Sequence, residues 1–369
     1  MIRTTSARRF SPGEPDASKG VDVYLLLAAG LLMFIGLASL YSIDYSRGTM
    51  WFPKQALLGV VGIVPFFVLW LAPAQLWQRA AVGLYALSVA LLGAVLVLGP
   101  SIGGAQRWLV LGPLQFQPSE FAKIALAFAL ATLFVSRKDK IKRPSTFLLS
   151  IGVAAVPALL VFRQPHLGGA LALVAIWLAV TVVAGVPWRF VGIALLAGVL
   201  LGTAAWMTPG ILTEEQKSRV VGFLDPEAHE TGTMYQQNSS KTAFGAGGAF
   251  GTGYLEGDMK EAGSVPEQQT DFVFSVIGEE GGLFGTTLVL ATFMFFFYRC
   301  WLAGFRASNP FQQYAGAGIL AVLAFHFAAN IGMNLMVLPA VGLWLPFLSY
   351  GGTALWLCMA SVGFFASCK

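Results

Sequence analysis

The stretch Pro266-Glu267-Gln268-Gln269-Thr270-Asp271 ends a long polar segment, and an apolar run begins at Phe272. In a chain that is 56% hydrophobic and 11% charged, a carboxylate at such a boundary is costly and marks a functional candidate. Partial removal from water raises a carboxyl pKa and with it the basicity of the ionised form, so Asp271 is the first place to look for chemistry. A second constellation lies in Gln117-Pro118-Ser119-Glu120-Phe121-Ala122-Lys123. Ser119 reads as an N-cap, and Glu120 and Lys123, three apart, share a helix face and can pair. They serve either as a structural ion pair or as a substrate-facing one. Arg107, beside Trp108, is an interfacial anchor or a planar fork for a phosphate. Arg219 and Lys241 are further cationic candidates, each also explained by a solvated loop face.

Other polar residues have structural readings beside the chemical ones. Glu279 and Glu280 form a buried hydrogen-bonded pair or line a polar cavity. His326, Asn330 and Asn334 recur every four residues, a stripe for interhelical hydrogen bonding or, less simply, a proton path. His166, between two apolar runs, tunes a site or packs. Ala243 to Gly257 holds six glycines but no GK[ST] ending, which excludes a nucleotide loop and points to an irregular segment packed on the bundle. No HExxH, GxSxG or paired-cysteine motif is present, and three cysteines at 300, 358 and 368 have no metal or disulfide spacing. No nucleotide, organic cofactor or nucleic acid is expected.

The elements that must position these residues are membrane helices. Mean hydropathy is +0.71, with 29 Phe and 10 Trp, and several runs approach the ~20 residues a helix needs to cross a bilayer. Ten spans are expected, at 22–42, 54–72, 79–99, 119–136, 145–162, 167–185, 189–207, 271–298, 311–335 and 347–366. The connection 137–143 carries five basic residues. Arg79, Arg189, and Arg299 with Arg306 are expected in loops on that same side. The positive-inside rule makes it cytoplasmic, with both termini. Residues 1–20 form a cytoplasmic tail without signal-peptide features. Residues 21–369 form one membrane domain, whose segment 208–270 is a large extracytoplasmic loop holding nine of the 18 acidic residues.

Several segments together resemble one family. They are 103–108 with 117–123, Gln164-Pro165-His166-Leu167-Gly168, Phe223-Leu224-Asp225-Pro226, 266–272, and Leu345-Pro346-Phe347-Leu348-Ser349-Tyr350-Gly351-Gly352. Their order and spacing are similar to those of the SEDS (shape, elongation, division and sporulation) family, over nearly all of the chain after about residue 20. Elongation-type members are nearest, from Tyr235 to Gly253 and from Gly342 to Gly352. The resemblance implies an all-α polytopic fold of ten transmembrane helices, with a large extracytoplasmic loop between the seventh and eighth. It implies peptidoglycan glycosyltransfer, polymerising lipid II on the outer face of a bacterial cytoplasmic membrane during cell elongation and rod-shape maintenance, alongside a cognate class B penicillin-binding protein. Asp271 takes the place of the family's essential Asp, as general base or metal ligand. Arg107, Glu120, Lys123, Arg219 and Lys241 are substrate-binding candidates. A divalent cation, Mg or Mn, is a candidate cofactor with no ligand cluster to identify it. The chain departs from the family at His166, where Asp is common, and at Gln269, where His is. A lipid II flippase and a non-catalytic scaffold for a synthase are the competing classes; neither needs a carboxylate at Asp271.

Overall fold

The computed structural model describes residues 22–101, 105–112, 114–224 and 233–368. The tail 1–20, Gly103, Gly104 and the Asp225-Pro226 pair lie outside them. Among the described residues the helices are α1 (Val23–Arg47), α2 (Trp51–Leu71), α3 (Ala74–Leu98), α4 (Pro118–Ser136), α5 (Pro144–Arg163), α6 (Leu167–Val183), α7 (Trp188–Met207), α8 (Glu214–Leu224), α9 (Thr233–Gly247), α10 (Asp258–Glu261), α11 (Val273–Arg306), α12 (Pro310–Asn334) and α13 (Gly352–Ser367). A short antiparallel hairpin, β1 (Leu109–Leu111) and β2 (Leu114–Phe116), pairs Leu109 with Phe116 ahead of α4.

Local chemistry sets many of the ends. Asp22 caps α1 by accepting the Leu25 N–H at 3.0 Å, and Asn309 caps α12 through the Phe311 N–H at 2.9 Å. Pro118, Pro144 and Pro310 open their helices, where a missing N–H costs nothing. Between α1 and α2, the Asp44 carboxylate accepts the N–H groups of Trp51 and Phe52 at 2.9 and 2.7 Å, which fixes a tight turn.

Eight helices, α1 to α5, α7, α11 and α12, are long and apolar enough to cross a membrane; α6 and α13 are shorter apolar helices of 17 and 16 residues. The last expected span is displaced because Leu345 to Gly351 is not helical, with Phe347 at φ +66°. The span expected at 271–298 runs on to Arg306, so Arg299 lies inside a helix rather than in a loop. There it donates to Asp22 at 2.6 Å and ties α11 to the start of α1. The 208–270 segment contains α8, α9 and α10 instead of a plain loop. Within the bundle, α2 packs along α13 and α3 along α4, while α12 packs on α4, α6 and α11. Phe128 of α4 meets Phe311 and Phe364 with ring centroids at 5.4 and 5.7 Å, joining α4, α12 and α13. In α7 only Val191 is buried.

One interruption organises the face that carries Asp271. At Gly282 the backbone of α11 turns to φ +60°, ψ −158° and the helix breaks. The glycine-rich segment after α9 takes up the freed hydrogen bonds. Leu283 and Phe284 donate to the carbonyls of Gly248 and Ala249, while Thr252 and Gly253 donate to those of Glu279 and Glu280, at 2.9 to 3.3 Å. A Cβ on Gly251, itself at φ +83°, would lie 2.0 Å from the Glu280 carbonyl oxygen. The sequence expectation of an irregular segment over Ala243 to Gly257 packed on the bundle is met from Gly248 onward, where protein satisfies the backbone, whereas Ala243 to Gly247 are the last residues of α9.

The adjacent carboxylates are structural. Glu279 accepts the N–H groups of Met259 and Lys260 at 2.6 and 3.2 Å. The fully buried Lys260 donates to Glu280 at 2.5 Å and to Ser42 of α1 at 2.7 Å, and Ser42 also donates to Glu280. Removing one member of a buried pair strands the other. Lys260→Met is expected to cost about 3–5 kcal/mol, and the added change Glu280→Leu to restore much of it. Thermal melting in detergent checks both, and equal melting temperatures for the single variant and the parent would contradict the assignment.

Candidate active site

Asp271 is held by its backbone at both ends. Its N–H donates to the Glu267 carbonyl at 3.1 Å, closing a turn across Glu267-Gln268-Gln269-Thr270. Its carbonyl accepts Asn330 Nδ2 at 2.8 Å and Asn334 Nδ2 at 3.0 Å from α12. Asn330 also donates to the Leu343 carbonyl at 2.6 Å, and Tyr350 N donates to the Gln269 carbonyl at 2.8 Å, so the 342–350 segment packs beside the same turn. From the other side, Arg47 of α1 donates to Val265 O at 3.4 Å and Gln268 Oε1 at 2.7 Å. The polar stripe on α12 is thus interhelical hydrogen bonding, and two of its members position the candidate base.

The Asp271 side chain is partly buried beside Gly342. A methyl group on Gly342 would sit 3.5 Å from both Asp271 Oδ2 and Arg219 Nη1, so the carboxylate and the guanidinium both come close to that glycine. Burial raises the Asp271 pKa to about 6; Arg219 and, less strongly, Arg107 pull it down, and Glu267 pushes it up. A carboxyl in that range is ionised at neutral pH and more basic than an ordinary one.

Next to it lies a cavity of about 160 Å³ lined by Arg107, His166, Gln216, Arg219, Ala340 and Val341, among others. Arg107 donates to the carbonyls of Gln164 and Pro165 at 3.0 and 2.5 Å, and Arg219 to the Ala340 carbonyl at 3.4 Å. The two arginines expected from sequence therefore share one cavity beside Asp271. A separate apolar groove of about 370 Å³ runs between α9 and α11, with Phe244, Phe274, Leu283, Leu290 and Leu335 among its walls. Phe274 follows Asp271 by three residues and Leu335 follows Asn334 directly, so part of the groove wall belongs to the segments that anchor the turn.

The other candidates fall elsewhere. Glu120 and Lys123 form a buried pair at 2.6 Å, and Lys123 Nζ lies 2.8 Å from His326 Nε2. Trp344 stacks on His326 at 4.0 Å between centroids and lies 5.3 Å from Lys123 Nζ. At 1% exposure each, the pair forms the floor behind the site rather than its lining. Lys241 is exposed on α9 and is not among the residues that line the cavity. The inner face of α9 belongs to Gln237 and Ser240, which bond to Met333, Leu338 and Asn334. His166, which the sequence singles out as tuning a site or packing, forms a cavity wall, whereas Gly342, close to both Asp271 and Arg219, carries no sequence signal of its own.

A divalent ion of the Mg or Mn type wants about six oxygen ligands. Among the described residues no three His, Cys, Asp or Glu side chains gather to hold one. Among the described residues, the charged groups acting most on Asp271 are the Arg219 and Arg107 guanidinium groups and the Glu267 carboxylate, a set too poor in oxygen ligands to hold a cation by itself.

The sequence profile of the FtsW/RodA/SpoVE cell cycle protein family matches residues 20–369. Peptidoglycan glycosyltransferase MrdB of Escherichia coli is 37% identical over 308 residues, covering 82% of this chain and 81% of its own length. A probable peptidoglycan glycosyltransferase FtsW of Nitrosococcus halophilus is 33% identical over 346 residues, covering 90% and 88%. Among solved structures, a chain from a peptidoglycan synthase complex that coordinates polymerization and crosslinking has TM-score 0.82 at 30% identity, covering 94% of this chain and 97% of its own. The Thermus thermophilus rod shape determining protein RodA has TM-score 0.69 at 28% identity, covering 93% and 95%. The all-α polytopic fold and the length of these matches agree: the chain belongs to the FtsW/RodA/SpoVE family.

Proposed function

We propose that this chain is a peptidoglycan glycosyltransferase that polymerises lipid II on the outer face of a bacterial cytoplasmic membrane during cell elongation. The observation that carries the reading is Asp271, an immobilised carboxylate with a pKa of about 6 beside a cavity walled by two arginines. In the reaction an acceptor sugar hydroxyl attacks the anomeric carbon of the donor, with inversion. A new carbon–oxygen bond forms, the bond from that carbon to the diphosphate oxygen breaks, and its electron pair leaves with the diphosphate. The hydroxyl proton passes to Asp271, while Arg107 and Arg219 offset the charge that builds on the leaving group. Among the described residues no carboxylate cluster is placed to cage a Mg or Mn ion, and an ion that serves the reaction would bind with the diphosphate. The apolar groove between α9 and α11 suits a polyprenyl tail.

The side of the membrane follows from charge. Lys138, Lys140, Lys142 and Arg143, all between α4 and α5, are exposed at the end of α4 opposite to that of Glu120, and the positive-inside rule makes that end cytoplasmic. The termini share it and the Asp271 end is extracytoplasmic. A class B penicillin-binding protein that crosslinks the new glycan is the partner this activity calls for.

Asp271→Asn in the purified complex is expected to lower lipid II polymerisation about 10²–10⁴-fold with the melting temperature unchanged, the partner's own polymerase activity being absent. Polymer at the parental rate would remove Asp271 from the mechanism. No polymer from the folded parent would favour a flippase or a scaffold instead.

The pH dependence has a defined sign. Protonation disables the base, so kcat/KM is expected to fall on the acid side of about pH 6, near tenfold per unit. Arg219 lowers the Asp271 pKa, so Arg219→Gln moves that acid limb to higher pH besides weakening binding. A pH–rate profile for the two proteins checks the shift, and coincident limbs would refute the coupling.

A further inference from the structure

The cavity beside Asp271 has a third polar wall with no assigned task. His166, the N-cap of α6, is 7% exposed and lines the cavity together with Arg107 and Arg219. Among the described residues nothing hydrogen-bonds its ring nitrogens, and they are not sealed in the interior but belong to a cavity wall. The ring folds back over the first turn of α6. A Cβ on Gly169 would lie 2.3 Å from its Cδ2 and 2.6 Å from its Nε2, so only glycine leaves the imidazole that place.

The surroundings favour an anion. The first bond from α6 back to the cap is Ala170 N to His166 O at 3.0 Å. That leaves the N–H groups of the preceding residues without intrahelical partners, at the positive end of a 17-residue helix. Arg107 occupies the carbonyls of Gln164 and Pro165, which would otherwise repel negative charge. Burial, with Arg107, Lys123 and Arg219 nearby, holds the His166 pKa well below its ordinary value. The ring is therefore neutral near pH 7 and offers one N–H donor.

We propose that His166 is a binding residue for a lipid-linked diphosphate, donating its ring N–H to a phosphate oxygen held between Arg107 and Arg219 at the start of α6. The inference rests on the glycosyltransferase reading and narrows it, assigning the diphosphate to the α6 end of the cavity rather than to Lys123 or Lys241.

The test uses the full chain with its partner, following lipid II polymerisation and, separately, calorimetric binding of inorganic pyrophosphate and farnesyl diphosphate. His166→Leu is expected to lower kcat/KM for lipid II about tenfold, as for a lost hydrogen bond to a charged group, through a higher KM and also a lower kcat, because the bonded oxygen belongs to the leaving diphosphate. Both diphosphates should bind correspondingly more weakly. His166→Asn, which keeps an N–H donor, is expected to recover most of the loss. Farnesyl diphosphate binding tighter than pyrophosphate supports a lipid-linked ligand, and the reverse order overturns that part. Unchanged kcat/KM and unchanged binding in a folded His166→Leu protein overturn the proposal. If the parent does not polymerise lipid II, the glycosyltransferase reading falls, and the two binding measurements still decide what His166 does.

Discussion

The site depends on holding one carboxylate at a membrane edge without using the carboxylate itself as the anchor. Asn330 and Asn334 grip the Asp271 carbonyl, and the Glu267 carbonyl receives its N–H, so the side-chain oxygens are left for chemistry. Each asparagine is itself fixed. Asn330 donates to Leu343, and Asn334 donates to the Asn330 carbonyl. Buried amides with all their partners in place tolerate little movement, and α12 thereby transmits its rigidity to a turn that would otherwise belong to a loop. Arg47 and Tyr350 hold the same turn from α1 and from the 342–350 segment.

Around that fixed point, charge is partitioned by depth. Opposite charges in the interior are matched locally: Lys123 with Glu120, and Lys260 with Glu280. Desolvation makes an unmatched ion there expensive. At the edge, Arg107 and Arg219 line a cavity beside the partly buried Asp271. Two guanidinium groups on a cavity wall suit an anionic leaving group better than the Glu120–Lys123 pair, which is closed on itself in the interior.

Much of this was legible in the residues. Asp271 stood out because a carboxylate at the foot of an apolar run conflicts with its surroundings, and Glu120 with Lys123 because three-residue spacing puts them on one face. Helix positions followed from apolar runs, although the expected cap Ser119 lies inside α4, which starts at Pro118 after Gln117. The failures have physical causes. Arg299 reads as a loop residue until its pairing with Asp22 lets α11 continue past it. The break at Gly282 is invisible in a run of apolar residues, since its cause lies 30 residues upstream in the segment that bonds to it. Lys241 looked equivalent to Arg219, yet α9 turns Gln237 and Ser240 inward and leaves Lys241 outside. A tertiary contact, not a local propensity, decided each case.

The exchange of hydrogen bonds between the glycine-rich segment and α11 makes one cooperative unit of what the chain order separates. The amides of Thr252, Gly253, Leu283 and Phe284 are protected only while both strands of that exchange stay together. A local opening of the segment therefore exposes helix backbone as well, and its free energy lies near that of the bundle rather than near that of a surface loop. Slow amide exchange and resistance to proteolysis at residues 248–253 are the signature of such an arrangement, in a stretch whose composition would suggest the opposite.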